Sequence, residues 1–406
     1  MTTEGRETPE VIQYITDRLA APDRPTYQQL AEDCDARFGT DFATGESIRK
    51  FAKRRKLRPQ VDVVGAVKAE RQAVIERAER RELSRLLKER AMKEIVADAI
   101  MAGIAKLPPL PPVNYDPLPS GGFAEEHARL IISDAHTGYW LTDEAVSGLW
   151  RYNYDIFRGY VELLAAKIKS IMPRHNYRIP VLHIDFLGDI VENIIMRAGQ
   201  VWHVEFAIRE QCLKAADAFV WFIREMLTIF GRVECIGVPG NHGRMSQKKG
   251  DLPPSESFDL IAYDFIRLRL ANEPRFSFEV VAAERHITDC FGWRILLSHG
   301  DRIKSWAGVP HYGIDRHNTN LAGLFDDLSE GIDVIEIGHF HQAMVLPFRT
   351  WGTAFINGSF TGATEFSINQ LGRASQPAQW LYGINAERPV TWAYKLTLAE
   401  PRAKAG

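Results

Sequence analysis

Cysteine is scarce. Cys34, Cys212, Cys235 and Cys290 are the only four in 406 residues, far apart and without a C-x-x-C pair, so unpaired thiols in a reducing cytoplasm are expected. No apolar run approaches the roughly 18 residues a membrane span needs, which argues against a membrane partner. The opening MTTEGRETPE lacks the basic-then-apolar pattern of a secretory signal. Internal repeats are absent, as is any Ser or Cys nucleophile motif. The formal net charge of -2 selects no class of partner by itself. The length allows two or three domains, or one large core with appendages.

The distribution of charge says more. RKFAKRRKLR (49–58) carries Arg49, Lys50, Lys53, Arg54, Arg55, Lys56 and Arg58 with no acid among them. Ahead of it, Thr26 and Gln29 have capping-box spacing at the start of PTYQQLAEDCDARFG, and Gly39 is a plausible stop. Ile48 and Phe51 then face inward on a second, basic helix. A helix, a turn and a basic helix suggest a small all-α, helix-turn-helix-like domain over 1–60, with those seven cations as DNA contacts. The turn is long, which favours a winged or divergent variant. The bland alternative is a helical bundle with a solubilising face.

Residues 61–107 contain no proline before their end, and Val63, Val67, Val74, Ala78, Leu83, Leu87, Ile95 and Ile100 recur at helical spacing. A long helical segment is expected, with an interruption near Gly65. Its imperfect heptads leave two options open: packing on its own chain, or a homodimer. Six prolines and two glycines then make 108–122 a semi-rigid linker. Residues 123–398 alternate apolar strand-like runs with helical patterns, an α/β architecture, and 399–406 form a tail.

Five of those runs end in polar clusters: SDAHTG (133–138), LGDIVEN (187–193), PGNHGR (239–244), LSHGDR (297–302) and IGHFHQ (337–342). The carboxyl ends of strands in an open α/β sheet converge on one crevice. Carboxylates, neutral imidazoles and amide oxygens are ligands for divalent metals of intermediate hardness. Each cluster alone is a weak signal. Five in order point to a metal site.

The ordered set D-x-H, G-D, G-N-H, H and G-H-x-H over about 270 residues resembles the calcineurin-like metallophosphoesterase superfamily. The resemblance implies a two-sheet β-sandwich flanked by helices, with two metal ions at the strand ends. It implies that Asp134, His136, Asp189 and His341 hold one ion, and that Asp189 bridges to a second completed by Asn241, His299 and His339. Two cations about 3.5–4 Å apart need such an anionic bridge. Mn2+ is the foremost candidate, with Fe2+, Zn2+ or Mg2+ as alternatives. By the same resemblance, Asp189 and His242 are catalytic, His242 stabilising the transition state or protonating the leaving oxygen.

Departures from the family matter. Many relatives carry an acid where Gly243 stands, so Glu192 or Asp301 would have to orient His242. The arginine of the protein phosphatases' G-D-x-x-D-R-G is missing from GDIVENI, which argues against protein dephosphorylation. Arg244 and Asn193 are expected to meet substrate. So are His311 and Arg316, in a long loop (303–320) that also carries Trp306 and Tyr312. The pairing of domains looks similar to metallophosphoesterases of phage and prophage origin. A DNA nuclease with an N-terminal DNA-binding arm is the expected function. The alternatives are a phosphatase or small-molecule (cyclic-nucleotide) phosphodiesterase, and a DNA-binding protein with a catalytically silent metal domain.

Overall fold

The structure is a computed structural model. It describes residues 6–21, 23–57, 63–115, 125–175, 177–197, 199–303, 310–327, 331–348, 350, 352–369, 372 and 374–399. Arg58 and Trp306 therefore lie outside the described residues. The chain divides into two compact units, Met1–Val96 and Ala97–Gly406.

In the first unit, α1 (Pro9–Ala20), α2 (Tyr27–Phe38) and α3 (Gly45–Arg54) enclose a core of Val11, Ile15, Leu19, Leu30, Cys34, Phe42, Ile48 and Phe51. Thr26 and Gln29 form the expected capping box, and Gly39 ends α2 in the left-handed region. The turn that follows is held by Asp35, whose carboxylate accepts from Phe42 N (2.8 Å), Ala43 N (3.1 Å) and Thr40 Oγ1 (2.6 Å). Arg49, Lys50, Lys53, Arg54, Arg55 and Lys56 are all exposed. Arg54 and Arg55 pair with Glu7, and Arg49 and Lys50 lie near Glu46.

Helix α4 (Val63–Ala105) runs without the interruption expected at Gly65. Val74, Leu83, Leu87, Ile95 and Met101 on it are exposed rather than packed. No helix among the described residues is long and apolar enough to cross a membrane.

The second unit is a sandwich of two sheets. The first contains β1 (Glu126–Ile132), β2 (Val181–Phe186), β3 (Arg232–Gly237), β4 (Phe276–Val280), β10 (Ala378–Asn385) and β11 (Ala393–Thr397), in the order β11-β10-β1-β2-β3-β4. The second contains β5 (Arg285–Cys290), β6 (Trp293–Ser298), β7 (Val334–Ile337), β8 (Met344–Pro347) and β9 (Thr353–Ile356), in the order β5-β6-β7-β9-β8. Strands β1–β4 pair in parallel, as do β6, β7 and β9. Their near-continuous apolar runs suit strands covered on both faces.

Ile131, Leu187, Val238, Ile295, Leu297, Phe355 and Tyr382 fill the space between the sheets, with the Phe355 and Tyr382 rings stacked 4.5 Å apart. A polar bolt crosses the same space. Arg129 Nη2 of β1 donates to both carboxylate oxygens of Asp185 of β2 (2.7 and 2.8 Å), and Arg129 Nε lies 3.5 Å from Glu336 of β7, which accepts from Tyr382 Oη at 2.7 Å.

Helices cover both outer faces. Aromatic residues join α5 (Tyr154–Ile171), α6 (Ile208–Met226) and α7 (Phe258–Arg269) to the first sheet through Phe157, Phe219, Phe186 and Tyr263. Helix α8 (Pro310–Asp327) packs Ile314 and Leu321 on the second sheet, and α9 (Glu365–Asn369) is a single short turn.

Two expectations change here. Residues 310–320 are helix, not loop, because Ile314 and Leu321 have a sheet to pack against. The proline-rich stretch, expected as a semi-rigid linker, is fastened over 108–115. The guanidinium groups of Arg269, Arg224 and Arg275 donate to the carbonyls of Pro108, Pro111 and Val113, which lack competing backbone partners in so proline-rich a segment.

Candidate metal centre

The loops leaving β1 and β2 run side by side past the strand ends. Asp134 N donates to Gly188 O, His136 N to Asp189 O and Thr137 N to Ile190 O, at 2.9–3.1 Å. The loop after β3 closes on them because Gly188 and Gly240 meet: a Cβ on Gly188 would lie 2.1 Å from Gly240 N. Among the described residues, ten other than glycine have positive φ, and Asp134, His136, Asp189, Asn193, His339 and His341 are six of them. Backbone strain gathered at one place is the mark of a functional site.

The side chains so aimed form two triads, Asp134–His136–His341 and Asp189–His299–His339. His341 Nε2 lies 3.2 Å from Asp134 Oδ1 and 3.2 Å from His136 Nε2. His299 Nε2 lies 3.1 Å from both Asp189 Oδ2 and Asn241 Oδ1. Asp189 Oδ2 is also 3.9 Å from His136 Nε2, so one oxygen stands between the two groups. All seven sequence-predicted metal residues therefore converge.

Tautomers are fixed from behind. His136 Nδ1 faces Glu192 Oε2 at 2.8 Å and His299 Nδ1 donates to Leu187 O at 2.7 Å, which turns each Nε2 toward the centre. Asp134 Oδ1 is buried and accepts no hydrogen bond. An orphaned carboxylate oxygen facing imidazole nitrogens at about the spacing of ligands on one ion fits a divalent metal.

The electrostatics match a site built for cations. Burial opposes ionisation of Asp134, but the neighbouring His341 brings its pKa down to about 2. Asp189 is likewise held well below the usual carboxylate range, chiefly by His299 and His242 against its burial. Burial would keep His299 neutral, yet the Asp189 carboxylate lifts it to about 10, while burial and the His299 charge push His339 down to about 4.

His242 shows what replaces the missing acid. Its Nδ1 lies 3.2 Å from Glu192 Oε2 and 3.0 Å from Glu192 O, while its backbone N–H donates to Asp189 Oδ1 at 2.6 Å. Against burial, the Glu192 and Asp189 charges raise His242 to about 9. Gly243 must stay bare because a Cβ there would come within 2.4 Å of Ser257 Oγ and 2.5 Å of Asp259 Oδ2. Asp301, the other candidate orienter, instead pairs with Lys249 at 2.7 Å.

Asp259 has no precedent in the sequence reading. Fully buried at the start of α7, it accepts from the backbone N–H groups of Asp189, Ile190, Val191 and Gly240 at 2.9–3.3 Å. It ties two of the strand-end loops together. Burial and the Asp189 charge push its carboxyl up to about 6, against those donors.

The expected substrate contacts fare unevenly. Asn193 is fully buried; its amide donates to His242 O (2.6 Å) and Arg244 O (2.7 Å) and its oxygen accepts from Ile194 N. No donor remains for a substrate, so Asn193 is a staple between loops rather than a contact. Arg244 is half-buried, its Nε without a hydrogen bond, and lines a cleft with Asn241, Lys248, Lys249, Asp301 and Arg302. Arg316 lies exposed on α8; the side chains of His311 and Tyr312 lie outside the described residues.

No family model matches the chain, and no curated protein does. Solved structures do, loosely. One is a conserved Streptococcus pneumoniae protein described as a predicted phosphoesterase, at 10% identity and a TM-score of 0.27 over 68% of this chain and 99% of that one. Zinc-bound Vps29 of Entamoeba histolytica is similar at 15% identity and a TM-score of 0.26, over 54% of this chain and 99% of its own. Vacuolar protein sorting 29 of Cryptosporidium parvum gives 14% and 0.29, over 64% and 86%. At TM-scores this low the overlap assigns no family, and the site's own geometry has to speak for its chemistry.

Proposed function

We propose that this chain is a metal-dependent hydrolase of phosphodiesters, with DNA as its substrate. The observation that carries the reading is Asp189, a single carboxylate oxygen within reach of both His136 and His299. A group so placed can be shared by two cations, with Asp134, His136 and His341 on one side and Asn241, His299 and His339 on the other. Divalent ions bound there would supply Lewis acidity toward phosphate oxygens and a water of lowered pKa.

The chain's own groups do the rest. His242, kept cationic by Glu192, stabilises charge accumulating on phosphorus or gives its proton to the leaving oxygen. Arg244 and its lysine-lined cleft bind the substrate backbone.

Two surface features favour nucleic acid. Trp140 and Trp202 are 47% and 79% exposed, on the loops that continue from the β1 and β2 clusters, and Trp140 N donates to His203 O at 2.9 Å. Exposed indoles on loops that continue from the ligand clusters make stacking platforms for unpaired bases. In the first unit, the exposed cations of α3 offer a face for phosphates, and a DNA-binding arm on the same chain raises the effective concentration of DNA for the second unit.

Turnover tests this with Mn2+-loaded protein on bis-p-nitrophenyl phosphate, p-nitrophenyl phosphate and single-stranded or duplex DNA. Diester and DNA cleavage are expected. Trp202→Ala is expected to weaken single-stranded DNA binding by about 1–3 kcal/mol. Joint Arg49→Glu, Lys50→Glu and Lys53→Glu substitution is expected to slow DNA cleavage and spare the small diester. A preference for the monoester, with DNA untouched, refutes the reading.

A further inference from the structure

A third cluster of metal-ligating side chains lies away from the strand ends. His127 stands early in β1, His183 in β2, and Cys290 closes β5, so both sheets contribute. Strand rise puts His127 and His183 on the order of 20 Å from Asp134 and Asp189, at the opposite end of the sandwich. His127 Nδ1 and His183 Nε2 are 3.0 Å apart, and Cys290 Sγ is 3.9 and 3.7 Å from them.

The outer nitrogens decide what this cluster can be. His127 Nε2 is 3.1 Å from Glu125 Oε1, and His183 Nδ1 is 3.2 Å from Glu234 Oε2. An ionised carboxylate only accepts, so each outer nitrogen carries the proton and each inner nitrogen of a neutral imidazole is bare. Burial favours neutral imidazole at both positions. Two lone pairs then face each other at 3.0 Å, and the single thiol proton can satisfy only one of them. A cation removes the conflict. Tetrahedral Zn2+ places its nitrogens about 3.3 Å apart and sulfur about 3.6 Å from nitrogen, each within a few tenths of an ångström of what is seen.

We propose that His127, His183 and Cys290 form a separate metal site for one thiophilic divalent cation of the Zn2+ type, with water in the fourth position. The site is a clamp. It joins the start of β1 and the middle of β2 to the end of β5, fastening the two sheets where neither strand-end loop reaches. Glu125 and Glu234 are positioning residues that hold the imidazoles in the binding tautomer. The Sγ–H proton leaves to solvent as the thiolate binds.

Cobalt distinguishes this site from the other, which has no sulfur ligand among the described residues. Full-length protein stripped by chelator and titrated with Co2+ is expected to develop a near-ultraviolet thiolate-to-cobalt charge-transfer band whose full intensity corresponds to one thiolate–cobalt site per chain. Cys290→Ser is expected to abolish the band, Cys235→Ser to keep it, and Glu234→Gln to weaken Co2+ binding here about 10- to 100-fold. Hydrolysis of bis-p-nitrophenyl phosphate is expected to be unchanged in all three. No band in the unaltered protein, or a band that survives Cys290→Ser, overturns the proposal. Should Cys290→Ser not fold, His127→Gln decides, since its side chain is partly exposed: unchanged cobalt affinity there also overturns it.

Discussion

Replacing Glu192 by glutamine keeps the shape of a buried side chain and removes one charge from between His136 and His242. Against burial, Glu192 heads the charges that raise His242 to about 9 from an ordinary 6.5, ahead of Asp189. At pH 8 a group of pKa 9 is about nine-tenths imidazolium, whereas one returned to 6.5 is about one-thirtieth. If the cation assists departure of the leaving oxygen, Glu192→Gln lowers kcat at pH 8 by at most about 30-fold, since Asp189 still raises His242. At pH 6 the same variant is still about three-quarters cationic, so this effect costs less than twofold. Two measurements check the chain of reasoning. Imidazole NMR titration of metal-free protein is expected to show the His242 pKa falling by about two units, and pH profiles of bis-p-nitrophenyl phosphate hydrolysis are expected to show a defect that deepens as pH rises. A defect equal at pH 6 and pH 8, or an unmoved His242, refutes the reasoning.

Three further outcomes are expected. Gly243→Ala drives a Cβ into Ser257 and Asp259, which calls for a loss of about 1–3 kcal/mol in denaturant unfolding and weaker activity. In the bolt between the sheets, Asp185→Asn breaks a buried ion pair and is expected to cost about 3–5 kcal/mol, while Glu336→Gln changes stability little. Burial and the Asp185 charge raise the Glu336 carboxyl well above its ordinary value, so its charge is disfavoured in the fold and little is lost by removing it; equal losses for the two variants contradict this. Finally, His242 and His299 have folded pKa values raised to about 9 and about 10 from 6.5. Their stabilisation is complete below pH 6.5 and lost as pH climbs through those values, so metal-free protein is expected to melt progressively lower from pH 7 to 10. Loading metal at pH 7 is expected to release a proton from His299, seen as a buffer-dependent binding enthalpy.

What could be read from the sequence follows from how each signal is encoded. Strands such as ARLIIS and WRILLS are buried on both faces, and their unbroken apolar runs ending in Asp, His or Gly announce both the strand and the residue it aims. The less regular β4, β5, β8, β10 and β11 carry mixed patterns and stay silent. PHYGIDRHNTN reads as loop because glycine, histidine and asparagine are poor helix formers; only the sheet under Ile314 and Leu321 makes it helical. Asp259 and Asn193 escape, or mislead, for a related reason. Their work is to gather backbone groups from loops distant in sequence, which no local spacing records. Glu192 was visible as one of two substitutes for the acid absent at Gly243, and the geometry selects it over Asp301. His127, His183 and Cys290 come one to a strand from three strands, so no motif joins them until the sheets stack.

The central claim is that Asp189 stands between two cations, and anomalous scattering from Mn2+-soaked crystals tests it directly. The account predicts two peaks about 3.5–4 Å apart with the Asp189 carboxylate between them, one beside Asp134, His136 and His341 and the other beside Asn241, His299 and His339. A map with no peak there, or with manganese bound only elsewhere on the protein, contradicts it.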